Sequence, residues 1–158
     1  MLRLTGTFVL AALALHWSQP APAQNKRQVT RAIFIMTPSG WMLEVFTDGG
    51  GLLQYGSSAG DGWGFKAGTI DVAKAEKDLR ALPSDDKGGI GSHFSFSFES
   101  ERKAPDQPGR ARYTRDLKVV PGLLKAAADG TAVRNEFRAQ RRAELLKKKP
   151  PGELPKEK

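Results

Sequence analysis

Apolar side chains recur at every second position through the first half of the chain, in short runs separated by glycine and proline turns. "AIFIM" (Ala32 to Met36) is rich in strand formers, and "TPSG" (Thr37 to Gly40) is turn chemistry. In "WMLEVFTD", Trp41, Leu43 and Val45 alternate with Met42, Glu44 and Phe46, so both faces carry apolar groups. That pattern predicts a central strand. Asp48-Gly49 is a hairpin signal, and "LLQYG" (Leu52 to Gly56) returns from it. After "SSAGDG", the run "WGFKAGTI" (Trp63 to Ile70) predicts a further strand and completes an antiparallel meander.

The period then changes. Val72, Ala75, Leu79 and Leu82 form one helical stripe behind Asp71, a good N-cap, with Pro83 as the stop. "HFSFSFE" (His93 to Glu99) returns to period two. Phe94, Phe96 and Phe98 predict a half-buried strand with three phenyl rings in the core, and His93 falls on its solvent side. "ARYTRDLKV" (Ala111 to Val119) alternates again and predicts the partner strand of a hairpin. Pro121 suits the first turn of a short helix reaching Ala128, with Val120, Leu123, Leu124 and Ala127 as its stripe and Gly130 as the stop. "AVRNEFRAQRRAELLKKK" (Ala132 to Lys149) holds strong helix formers but an imperfect stripe, and the proline-rich end should be disordered.

The expected fold is α+β: a small antiparallel sheet, made of a meander and a later hairpin, with helices packed on one face and a basic C-terminal helix. The divisions are a leader over 1–23, one α+β domain over 24–131, the basic helix over 132–149 and a disordered tail over 150–158.

The leader rests on the order of its parts. Arg3 precedes the apolar run "FVLAALAL", and Ala21 and Ala23 offer small side chains before a cut that would leave Gln24 first. This order predicts a signal peptide and export to the periplasm or the medium. The apolar run falls short of the ~20 residues that span a bilayer, so the processed chain is expected to be soluble.

Charge and composition narrow the chemistry. The 158-residue chain has a net charge of +8 and no cysteine. Thiol catalysis, disulfides and thiolate metal sites are excluded. Positive charge concentrates at the C-terminus, where 132–158 carries nine Lys/Arg against four Glu. Arg138, Arg141, Arg142, Lys147, Lys148 and Lys149 are the candidate anion-binding residues. Phe137 is the one aromatic among them, which weighs against nucleic-acid binding by base stacking.

His93 would be the single histidine of the processed chain. A hydrolase triad needs a base touching its nucleophile. Strand alternation sends Ser92 to the opposite side of the strand, while Ser95 and Ser97 lie about 7 Å or more along it. One histidine without cysteine is a poor start for zinc. The glycine clusters at 49–51, 60–64 and 88–91 lead into strands rather than helices, so they predict turns and not phosphate cradles. Trp41 and Trp63 are read first as core, with contact aromatics as the alternative.

No catalytic or cofactor constellation emerges. The leading expectation is an exported, non-enzymatic binding domain that engages an envelope macromolecule or acts as an inhibitor, through an exposed sheet edge. One alternative is a small hydrolase working through carboxylates near the glycine-rich loops. Another is a basic anchor on anionic surfaces.

Overall fold

The computed structural model of the chain describes residues 28–57, 61–85, 87–89, 91–104, 109–131 and 136–155. The leader lies outside them. The strands are β1 (Arg31–Met36), β2 (Trp41–Phe46), β3 (Gly51–Tyr55), β4 (Gly62–Phe65), β5 (Phe94–Phe98) and β6 (Arg112–Thr114). The helices are α1 (Val72–Arg80), α2 (Val119–Gly130) and α3 (Glu136–Lys148). The strands form one antiparallel sheet in the order β4-β3-β2-β1-β5-β6. The meander and the later hairpin therefore join through β1 and β5. This is the expected α+β architecture, with β2 an interior strand.

Register decides which side chains share a face. Ile33 opposes Val45 and Phe98, Ile35 opposes Leu43 and Phe96, and Leu53 opposes Leu43 and Trp63. These residues are all buried, and α1, α2 and α3 contribute Leu79, Val120, Leu124 and Leu145 to the same core. Phe94, Phe96 and Phe98 are at most 1 % exposed. Trp41 and Trp63 are core residues, with ring centroids 6.1 Å apart. The other face of the sheet carries Phe34, Met36, Met42, Phe46 and Leu52, and no described helix covers it.

Backbone chemistry sets the connections. In the β2–β3 loop, Asp48 Oδ1 accepts from Gly50 N–H at 2.9 Å and Gly49 takes φ +78°. A Cβ on Gly51 would lie 1.9 Å from the Glu44 carbonyl oxygen, so only glycine fits beside β2 there. Asp71 caps α1 through Lys74 N–H, as expected. A bulge between Arg31 and Ile33 places Arg31 opposite Phe46, with its guanidinium on Glu44 and Glu99.

Several expectations change. The strand foreseen over Trp63–Ile70 stops at Phe65, because Gly68 turns the chain and its N–H bonds the Asp48 carbonyl. The strand foreseen to Val119 has three residues. Asp116 Oδ1 accepts from the N–H groups of Lys118 and Val120 and starts α2 early, leaving Leu117 exposed. The pairing also sets Thr114 beside Phe94, on the core side, and Tyr113 beside Ser95, on the other.

The sheet edges are not bare. The Phe65–Thr131 bridge closes part of β4, and Asp85 N–H donates to the Tyr113 carbonyl on β6 at 2.8 Å.

The basic helix docks. Leu145 is buried, Leu146 and Leu154 pack beside it, and Trp41 Nε1–H donates to the Lys149 carbonyl at 3.0 Å. Arg142 donates to the Ala128 carbonyl near the end of α2, where exposed carbonyls favour a cation. Phe137 stays 76 % exposed and takes no part, and Val133 lies outside the described residues. Within the segment read as disordered, Gly152 is buried against Pro121.

Two truncations measure these contacts. Phe96→Ala should cost about 3–5 kcal/mol and Leu145→Ala about 2–5 kcal/mol, the range for emptied core sites. Denaturant melts check both; a neutral Leu145→Ala would mean that α3 is not seated on the core in solution.

Candidate functional site

Two features stand out: a polar cluster beside a groove at the β6 end of the sheet, and the helix-free sheet face.

The cluster centres on His93. The loop from α1 returns to β5 through Gly88, Gly89 and Gly91, and it lies close against β6. A Cβ on Gly88 would meet the Tyr113 Cβ at 2.4 Å, so glycine permits the approach. His93 ends this loop one residue before β5 and is 4 % exposed. The solvent-facing strand histidine of the sequence reading is thus a buried loop histidine. Alternation cannot be extended to it, because the strand begins at Phe94.

The ring is fully engaged. Nδ1 is 2.7 Å from Ser92 Oγ, and Nε2 is 3.0 Å from Asp85 Oδ2. Arg115 Nε also donates to His93 Nε2 at 3.0 Å. The expectation that Ser92 lies away from His93 is therefore corrected: in a bend the two side chains turn together. Leu82, Pro83, Asp85, Lys87, Thr114 and Arg115 are among the residues lining an adjacent groove of about 680 Å³.

Ser92, His93 and Asp85 have the connectivity of a hydrolase triad, but the surroundings do not complete one. The backbone N–H groups of Ser92 and His93 both donate to the Gly89 carbonyl at 3.1 Å. They are unavailable to stabilise an oxyanion. Arg115 Nε–H points at Nε2 and opposes the proton that Nε2 would have to carry toward Asp85. Among the described residues no group of three His, Cys, Asp or Glu is placed to hold a metal ion.

Electrostatics follow local bonds. Asp85 is held below the usual aspartate range by the Lys87 backbone N–H first and by His93 after burial has opposed it. Glu99 is held down chiefly by its hydrogen bond from Arg102, with Arg31 adding to it.

The six basic candidates of the C-terminal helix are not brought to one place with equal freedom. Arg141 pairs through Nε with Asp61 at 3.2 Å and through Nη1 with Glu144 at 3.6 Å, and Asp61 raises its pKa. Arg142 is spent on α2. Arg138 is exposed and has partners, while Lys147, Lys148 and Lys149 are exposed in the last turn and just beyond it.

The helix-free face has an unusual composition. Its outward strand positions include Phe34, Met36, Met42, Phe46, Leu52 and Tyr113 interleaved with Glu44, Gln54, Ser95 and Ser97, and like the rest of the sheet it holds no lysine, in a chain with 25 Lys and Arg. Met36 and Met42 are direct cross-strand partners. Apolar groups on both faces of β2 predict a central strand, and β2 is interior; Trp41, Leu43 and Val45 are buried while Met42, Glu44 and Phe46 on the other face are half-buried.

Comparison of the chain with family models, with curated proteins and with solved structures gives no match. Among the described residues no helix is long and apolar enough to cross a membrane.

Acid should weaken the fold through the two depressed carboxylates. A carboxylate with a lowered folded pKa stabilises fully above its ordinary value, here 4.5 for Glu99 and 3.8 for Asp85, and the gain is lost as pH falls through the folded value. Melting temperature should therefore hold above about pH 5 and drop below about pH 4. Glu99→Gln should make that drop shallower, as followed by circular dichroism melts from neutral to acid. An equally steep drop in the variant would show that other groups control the acid limb.

Proposed function

We propose that this is a non-enzymatic binding domain whose contact surface is the helix-free face of the sheet, and that its partner is another protein. The observation that carries the reading is the outward row of Phe34, Met36, Met42, Phe46 and Leu52 on neighbouring strands. Protein interfaces are enriched in aromatic residues, Met and Arg, and depleted in Lys. This face has the aromatics, the methionines and Arg31, and lacks lysine. Methionine adapts its shape to a partner at small cost. The Arg31–Glu44–Glu99 ion group lies within the face, with Glu44 between Phe34 and Leu52 and Arg31 over the Phe34 ring, and supplies polar orientation.

This reading relocates the expected contact from the sheet edge to the sheet face. Pairing through a free edge has less support, since loop and bridge contacts occupy part of both edges. A hydrolytic role has less support because the N–H groups of Ser92 and His93 are already bonded to the Gly89 carbonyl. The anchor reading loses Arg141 and Arg142, which serve the fold, and rests on exposed Arg138 and the lysine triplet. In the exported setting that the leader predicts, the partner would be an envelope protein or a secreted protease.

The test compares variants on a single bait. The full-length protein, immobilised, is exposed to the envelope and secreted fractions of its source. Met42→Glu and Phe34→Glu each place a charge on the face without touching the core, and should remove at least one protein retained by wild type. Replacing Lys147, Lys148 and Lys149 together by Gln should leave that protein bound. Equal retention by the face variants, or loss only in the lysine variant, would overturn the proposal.

A further inference from the structure

We propose that His93 is a proton-operated switch that exchanges Arg115 for Asp85 at its Nε2 atom. Nε2 has two charged neighbours at the same distance, 3.0 Å, and they make opposite demands. Arg115 Nε carries a permanent hydrogen and can only donate, so it needs an unprotonated Nε2. The ionised Asp85 carboxylate can only accept, so it needs Nε2–H. One ring nitrogen cannot meet both demands at once.

Ser92 makes either state permissible. Its hydroxyl can accept from Nδ1–H or donate to a bare Nδ1, and it sits 2.7 Å away. In the neutral ring, with the proton on Nδ1, Ser92 accepts and Arg115 donates to Nε2. In the imidazolium, Ser92 still accepts from Nδ1–H, and Nε2–H turns to Asp85. The positive ring then repels the Arg115 guanidinium. A proton thus moves the hold of His93 from the β6–α2 connection, which carries Arg115, to its own loop, which carries Asp85.

The two segments that reach Nε2 each supply a charge to this balance. The α1–β5 loop supplies Asp85 and, lining the same groove, Lys87. The β6–α2 connection supplies Arg115 and Asp116, whose Oδ1 is committed to the N–H groups that open α2. Asp85 and Arg115 both line the groove, so the exchange rearranges charge along its wall. His93 itself is buried, while Asp85 and Arg115 reach it from the solvent side.

Nuclear magnetic resonance of the uniformly nitrogen-15-labelled full-length protein, followed from alkaline to acid pH until the ring has taken up its second proton, tests this. The His93 ring is assigned through bonds from its own backbone. On the alkaline side, Nδ1 should be protonated and Nε2 bare. On the acid side both should be protonated, and the Arg115 Nε–H signal should move and lose protection from exchange as the ring titrates. In Arg115→Gln the neutral ring should reverse to the Nε2–H form. A neutral wild-type ring already carrying the proton on Nε2 would overturn the proposal. So would an Arg115 Nε–H signal that does not follow the His93 titration, a result that needs no variant to fold.

Discussion

A six-stranded sheet with one oily face cannot stay exposed to water, and covering that face is the constraint on which the structure depends. Ile33, Ile35, Leu43, Val45, Leu53 and the three phenylalanines of β5 all project to one side. Burial at ~25 cal/mol per Å2 of apolar surface is the dominant favourable term available to a chain without disulfides or other covalent cross-links. Three helices share the task. α1 and α2 contribute short stripes ending in Leu79 and Ala128, and α3 completes the cover at Leu145. Trp41 ties the layers together: its ring lies against Tyr55 and Trp63, and its N–H reaches the chain just past α3.

Concentrating the helices on one side has a consequence for function. The opposite face keeps its apolar groups and gains no cover among the described residues. The positively charged helix serves the fold before anything else, since Arg141 and Arg142 are consumed by Asp61 and the α2 carbonyls. Charge that looked like a binding device in one dimension is partly a docking device in three. The polar cluster at the other end of the sheet performs a comparable task, since His93, Asp85 and Arg115 join the glycine-rich loop to β6 and to the start of α2.

Much of the candidate site was illegible in the chain because it is built from turns. His93 lies at the point where a bend becomes a strand, and strand alternation extrapolated one residue too far reversed its environment. Asp85, Ser92 and Arg115 come from different segments, and no spacing rule links them. One signal was available: an isolated histidine flanked by Ser and followed by a core strand, with glycines permitting a close loop. The same limit applies to β6, where Asp116 captured the α2 N–H groups and ended a strand that alternation alone would have continued.

The sequence by itself determined the local elements and the class of fold. Period-two runs, the Asp48-Gly49 turn, the Asp71 cap and the Phe94–Phe96–Phe98 row each act through nearest neighbours, so they are written in adjacent letters. It also determined the absence of cysteine chemistry. Only the tertiary structure decided which face of β2 is buried, whether the basic helix is seated or loose, and what surrounds His93. Those outcomes depend on pairing between segments as far apart as Trp41 and Lys149, where the free energy comes from burying surfaces together rather than from any local preference.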